Sequence, residues 1–99
     1  MKNLDLEIKY IDFIKNTVSS ILDDAEIYMF GSRTHGKATK YSDIDIALKL
    51  DKIIEIDEVL KIKSKFQDST FPYKVDIIDL NSIDEKFFNI IKDDLIKIN

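Results

Sequence analysis

The chain contains no cysteine, which excludes disulfides, thiolate-based zinc sites and cysteine nucleophiles. Any metal ion would therefore be bound through oxygen. The sequence also lacks an apolar run near the roughly 20 residues needed to cross a bilayer. Its N-terminal segment is amphipathic, unlike a signal peptide. We expect a cytoplasmic protein that does not associate with membranes.

An excess of basic charge is also missing, since 15 Lys and Arg residues face 19 Asp and Glu residues for a net charge of −4. Sequence-independent binding to nucleic acid requires clustered basic residues, so direct DNA binding is not expected. The apolar fraction of 44% and the mixed charges are typical of a folded chain. A length of 99 residues predicts one domain spanning 1–99.

Glycine, arginine and histidine are scarce, and their few copies are clustered. The only two glycines, the only arginine and the only histidine all lie in the hexapeptide 31–36, Gly-Ser-Arg-Thr-His-Gly. Glycine permits tight turns and arginine recognises anions through a fork of N–H donors. The hexapeptide is therefore the first candidate for a functional loop.

Hydrophobic periodicity predicts a mixed sheet backed by helices, an α/β (α+β) fold. Spacings of three and four indicate helices, and alternation or short apolar runs indicate strands. A turn at Asn81-Ser82 is expected to cap the last helix. The predicted helices cover residues 4–22, 53–66 and 83–91, and the predicted strands cover 27–30, 43–50, 74–80 and 95–98.

Asp43 and Asp45 are two residues apart on a predicted strand, so their carboxylates project from one face about 6.6 Å apart. Clustered carboxylates repel one another unless a cation neutralises them. Mg²⁺ suits an oxygen-only site, and two such ions would clamp the attacking and leaving oxygens of a phosphoryl transfer. A lone Asp-x-Asp is weak evidence, because aspartates are also common in solvated turns.

The segment Gly31-Ser32 follows a predicted strand, where a backbone N–H and a hydroxyl could reach phosphate oxygens. Arg33 has two open roles. It either binds phosphate through two hydrogen bonds or braces the loop against an acidic neighbour. His35 has no second histidine to complete a site, so we expect it either to lie at the surface or to brace the loop.

Gly31-Ser32, ten intervening residues and Asp43-Ile44-Asp45 together resemble the signature of the polymerase-beta-like nucleotidyltransferase superfamily. The minimal nucleotidyltransferase family is the most similar branch, and the resemblance covers nearly the whole chain. Its third carboxylate lies in a Val-Asp-hydrophobic pattern, which Val75-Asp76-Ile77 matches. Asp79 competes for this role but is three residues further on, and so faces the opposite side of the strand.

The resemblance implies transfer of a nucleoside monophosphate, AMP from ATP, to a hydroxyl with release of pyrophosphate. Asp43, Asp45 and Asp76 would be catalytic and would hold Mg²⁺, with two ions expected, while Gly31, Ser32 and Arg33 would bind the nucleotide. Small members of the family resemble antitoxins that pair with a HEPN-domain ribonuclease toxin, some of which adenylylate a tyrosine of that toxin. A hetero-oligomer with such a partner is therefore expected.

A second hypothesis is a binding module that neutralises its partner by occlusion, with the acidic site kept for nucleotide binding or charge complementarity. Composition alone does not separate the two. Label transfer from ATP would separate them, since only an enzyme performs it.

Overall fold

A computed structural model describes residues 4, 6–31 and 43–99. Three helices and four strands occur in these ranges, together with a short 3₁₀ helix. No helix in the described ranges has the length and apolar character needed to cross a membrane. In chain order the elements are α1 (Ile8–Ser19), β1 (Glu26–Phe30), β2 (Ile44–Lys49), α2 (Ile56–Gln67), β3 (Val75–Asp79), α3 (Glu85–Ile91), the 3₁₀ helix (Lys92–Asp94) and β4 (Ile96–Lys97).

The four strands form one sheet in the order β3-β2-β1-β4. β1 pairs antiparallel with both β2 and β4, whereas β2 and β3 are parallel. Parallel neighbours need a crossover, and α2 supplies it between β2 and β3. The mixed sheet backed by helices that the sequence predicts is confirmed.

The hydrophobic core lies on one face of the sheet. On β2, alternation places Ile44, Ile46 and Leu48 on that face, and all three are fully buried. Helices α1 and α2 cover them with buried residues such as Val18 and Ile62. Full burial of each large aliphatic side chain contributes about 1.5–3 kcal/mol, so this layer fixes the register of the strands above it.

The first helix is shorter than predicted, because α1 covers Ile8–Ser19 rather than 4–22. The flanking apolar residues Leu4 and Leu22 still contact the core although they are not helical. Apolar spacing therefore reports contact with the core here and overstates the length of the helix.

The predicted N-cap of the last helix is wrong. Asp84 caps α3, since its side chain accepts a hydrogen bond from the Phe87 N–H at 2.7 Å. The Asn81 side chain instead donates to the carbonyls of Leu50 and Lys52, at 2.7 and 3.0 Å. Asn81 therefore joins the end of β3 to the loop that follows β2.

Candidate active site

The sheet register brings Asp45 and Asp76 side by side. Asp45 on β2 is the direct partner of Asp76 on the parallel strand β3, and of Phe30 on β1. Paired residues project from the same face of a sheet, and adjacent strands lie about 4.8 Å apart. The two carboxylates therefore share the face opposite the core.

Asp43 lies directly before β2, two residues from Asp45, and its side chain is exposed. The predicted strand began at Asp43, so the observed strand starts one residue later. Asp43 is close enough to Asp45 for its charge to affect that residue. The structure thus groups all three of the aspartates that the sequence selects.

The surroundings of Asp45 disfavour its charged form. Partial burial raises the pKa of the Asp45 carboxyl above its ordinary value, and the charges of Asp76 and then Asp43 raise it further. All three effects oppose ionisation of Asp45. A bound cation would reverse this balance by favouring the charged carboxylate.

The carboxylates are neighbours but do not surround one common point. Within residues 4, 6–31 and 43–99, no three His, Cys, Asp or Glu side chains are arranged so as to hold a metal ion. Asp43 and Asp76 are both exposed, whereas Asp45 is half-buried between β1 and β3. The donor set suits a hard cation, and its two exposed members are the ones with room to move.

Position 31, next to the carboxylates, requires glycine because of its backbone conformation and because of the nearby side chain of Asp45. It has a φ of +88°, in the left-handed region that glycine adopts without steric cost. A Cβ atom at this position would overlap Oδ2 of Asp45 and lie 3.2 Å from its Cγ. Glycine is therefore required both for the turn and for close approach to Asp45.

Asp79 stabilises the fold through hydrogen bonds and does not belong to the candidate site. It is 8% exposed, and its carboxylate accepts hydrogen bonds from the N–H groups of Ile54 at 2.7 Å and Asn81 at 2.9 Å. Asp76, three residues earlier, is exposed. The prediction that these two aspartates face opposite sides of β3 is confirmed.

Ser32 and Arg33, predicted to bind the nucleotide, lie outside the described residues, as does His35. Sequence reasoning missed a cleft beside Asp76 that Lys63 and Lys74 help to line. One signal was available, since Lys63 interrupts the apolar period of the second helix.

The glycine turn and the grouped aspartates lie at one end of a mixed sheet, and metal-dependent phosphoryl transfer uses carboxylates grouped in this way. The family model described as polymerase beta, nucleotidyltransferase matches residues 8–98, and the chain belongs to this family.

A curated relative, the probable protein adenylyltransferase MntA of Haemophilus influenzae, is 32% identical over 89 residues. The match covers 90% of this chain and 78% of the relative.

Two solved structures share the fold. A toxin–antitoxin crystal structure with AMP-PNP superposes with a TM-score of 0.68 at 24% identity, over 86% of this chain and 72% of the other. A complex of tri-AMPylated Shewanella oneidensis HEPN toxin with an MNT antitoxin gives a TM-score of 0.61 at 22% identity, over 90% and 71%. At these identities the likeness establishes the fold.

Proposed function

We propose that this chain is a single-domain, Mg²⁺-dependent nucleotidyltransferase that moves AMP from ATP to a hydroxyl group. The acceptor is a tyrosine of a partner HEPN-domain ribonuclease toxin, and the chain acts in the cytoplasm as the antitoxin. The observation that carries the proposal is the direct pairing of Asp45 with Asp76, flanked by Asp43 and by Gly31.

Each aspartate has a distinct role in this proposal. Asp43 and Asp45 hold Mg²⁺, while Asp76 also binds the catalytic ion and orients the acceptor hydroxyl or takes its proton. The metal, when bound, neutralises charge on the phosphate oxygens and lowers the barrier to in-line displacement. Because Asp43 and Asp76 are exposed, they are free to turn toward Asp45 around a cation.

In this proposal the triphosphate lies on the β1 side of the aspartates, where Gly31 follows the last residue of the strand. The Gly31 turn admits a phosphate close to the backbone, and Ser32 and Arg33 supply donors to its oxygens. These last two roles are proposed from the sequence.

A protein acceptor fits the size and charge of the chain. With a net charge of −4, the chain lacks the basic excess expected of a protein that grips a polynucleotide. The Haemophilus influenzae relative is named a probable protein adenylyltransferase, and a structure with the same fold holds an AMPylated HEPN toxin. The first supports a protein acceptor, and the second supports a toxin as that protein.

The test is transfer of label from α-labelled ATP to the HEPN partner in Mg²⁺, using wild type, Asp43→Asn and Asp45→Asn. We expect transfer by wild type and at least a hundredfold loss in both variants, since each replaces a charged carboxylate at the proposed metal site by a neutral amide. Asp57→Asn, on the exposed first turn of α2, is the matched control and should retain full activity. Variants that neutralise the toxin without transferring label would instead establish occlusion as the mechanism.

A further inference from the structure

Helix α2 exposes large apolar side chains on the side that faces away from the core. Its inward side carries the buried residues Ile62 and Phe66. On the outward side Ile56 and Leu60 are 73% and 52% exposed, and Ile53, just before the helix, is 62% exposed. Residues four apart on a helix are surface neighbours, and grouped exposed apolar residues mark an interaction surface. We call Ile53, Ile56 and Leu60 the α2 stripe.

A groove of about 550 Å³ lies beside the α2 stripe. Leu60 and Ile21 give it an apolar lining, and Ser64 also lines it. Ser64 is four residues after Leu60, so it continues the same line of side chains along the helix surface. Its small side chain leaves room for a larger one from a partner. The outward side of α2 therefore offers a projecting isoleucine and a recess on one face.

The charges of α2 are divided between its two halves. The acidic residues Asp57 and Glu58 lie in the first turn, and Lys65 lies in the last turn. Asp57 and Lys61 lie four residues apart on one flank of the α2 stripe, and both line the groove. Among the residues that the structure describes, neither of these two forms a salt bridge. A partner helix that runs in the opposite direction with the same sequence would place a basic half against each acidic half.

We propose that the α2 stripe binds a second copy of this chain, with the two α2 helices antiparallel about a two-fold axis at Leu60. A two-fold contact uses the same patch on both copies, so the patch must complement itself. With Leu60 on the axis, Ile56 of each copy lies opposite the small Ser64 of the other. In the same register, Asp57 of each copy lies beside Lys61 of the other. One arrangement therefore matches both the sizes and the charges.

The small size of the contact predicts a weak dimer. A helix of 12 residues is about 18 Å long. One pair of such helices buries less area than the roughly 1,200 Å² at which stable interfaces begin. Antiparallel helices also place the positive end of each helix dipole beside the negative end of the other. We therefore expect a Kd on the order of 10 μM.

The proposed dimer leaves both candidate sites open. Helix α2 packs on the core face of the sheet, whereas Asp45 and Asp76 project from the opposite face. The outward side of α2 therefore lies on the far side of the helix layer from the carboxylates. Self-association does not depend on the proposed function, and one dimer would present two sites that face away from each other.

Sedimentation equilibrium of the full chain, at concentrations that bracket the expected Kd, tests the contact. We expect wild type to pass from monomer to dimer. Leu60→Glu should raise the Kd at least tenfold, because it places two like charges on the axis. Ile90→Glu, at a position 66% exposed on α3, is the matched control and should dimerise as wild type does. A wild type that stays monomeric, or a Leu60→Glu variant that still dimerises, would overturn the proposal.

Reversal of the flanking charges tests the register without altering the apolar residues. We expect Asp57→Lys and Lys61→Asp each to raise the Kd about tenfold, because each sets like charges against each other across the axis. The variant with both substitutions should return to within about twofold of wild type, since opposite charges again face each other. A double variant weaker than either single one would contradict the register. Thermal melts of all variants would confirm that they fold.

The absence of cysteine allows single introduced thiols to report the direction of the helices. Under mild oxidation Leu60→Cys should crosslink to its own copy. Ile56→Cys alone should not, because its two copies lie about 12 Å apart along the helix, too far for a disulfide. A mixture of Ile56→Cys with Ser64→Cys should crosslink. Self-crosslinking of all three variants would show a parallel contact and refute the antiparallel one.

The toxin partner is the competing occupant of the α2 stripe, and the same variants decide between the two. Transfer of AMP to the HEPN partner by Leu60→Glu should stay within about twofold of wild type. A wild type that is monomeric alone, and in which the toxin shields the Leu60→Cys thiol from alkylation, would assign the α2 stripe to the toxin and overturn the proposal. Absence of transfer in every variant and in wild type would refute the proposed function, while sedimentation would still decide the dimer.

Discussion

At the scale of single residues, the ionised side chain of Asp45 destabilises the folded state, because it is partly buried and lies beside two other aspartates. The side chain is half-buried between two strands, and Asp76 and Asp43 add like charge. Such an arrangement lowers stability in the absence of a cation and would be of use when one binds. The same residue that prepares the site therefore weakens the metal-free fold.

We predict that Asp45→Asn melts at a higher temperature than wild type at pH 7 without metal. The folded-state pKa of Asp45 is raised above the ordinary 3.8, so ionisation penalises the folded state. Stability of wild type should fall as pH rises from 3.8 to the folded pKa and then stay level, while below 3.8 the advantage of the variant should vanish. Thermal melts across this range, with the exposed Asp51→Asn as control, would measure it. A variant less stable than wild type at pH 7 would show that Asp45 makes a favourable contact.

At the scale of elements, Asp79 and Asn81 connect the end of β3 to the loop between β2 and α2. Asp79 accepts from the backbone of Ile54, and Asn81 donates to the carbonyls of Leu50 and Lys52. Leu80 adds a backbone bond to Leu48 at 2.9 Å. These bonds hold β3 in register, and the register aligns Asp76 with Asp45.

Asp79→Ala should lower the free energy of unfolding by about 1–3 kcal/mol, because buried N–H groups lose their acceptor. Urea unfolding would measure this loss. Asp68→Ala, at the exposed end of α2, should change stability by less than about 0.5 kcal/mol.

Asp76→Ala is expected to abolish transfer with little loss of stability. If Asp76→Ala instead destabilised the fold and Asp79→Ala abolished transfer without destabilising it, the roles assigned to Asp76 and Asp79 would be reversed.

The alternation along β2 and the apolar run of β1 were sufficient to predict the sheet, since strand period is a local property. The apolar pattern was not sufficient to predict where the first helix begins and ends, because Leu4 and Leu22 contact the core without being helical. The cap by Asp84 is local, because its partner Phe87 is three residues further on. The bonds of Asn81 depend on the carbonyls of Leu50 and Lys52, which only the fold brings near. The same holds for the cleft at Lys63, which needs α2 and β3 together. Ser32 and Arg33 stay predictions.

At the scale of the whole molecule, the acidic cluster should couple ligand binding to stability. In the proposed function Mg²⁺ with ATP binds the folded state, and a ligand at a hundred times its Kd adds about 2.7 kcal/mol to stability. We expect millimolar Mg²⁺ and ATP to raise the melting temperature of wild type by several degrees. ATP with EDTA is the control, and Asp43→Asn should show a much smaller shift. Identical melting curves with and without Mg²⁺ would count against a working site.

The parallel pairing of β2 with β3 also determines when in folding the site first exists. The β1–β2 hairpin can close locally, but Asp76 joins Asp45 only after α2 has crossed and β3 has docked. A nascent chain on the ribosome would therefore present two aspartates long before the third. In the proposed function, reactivity toward nucleotides is therefore withheld until synthesis and docking of the edge strand are complete.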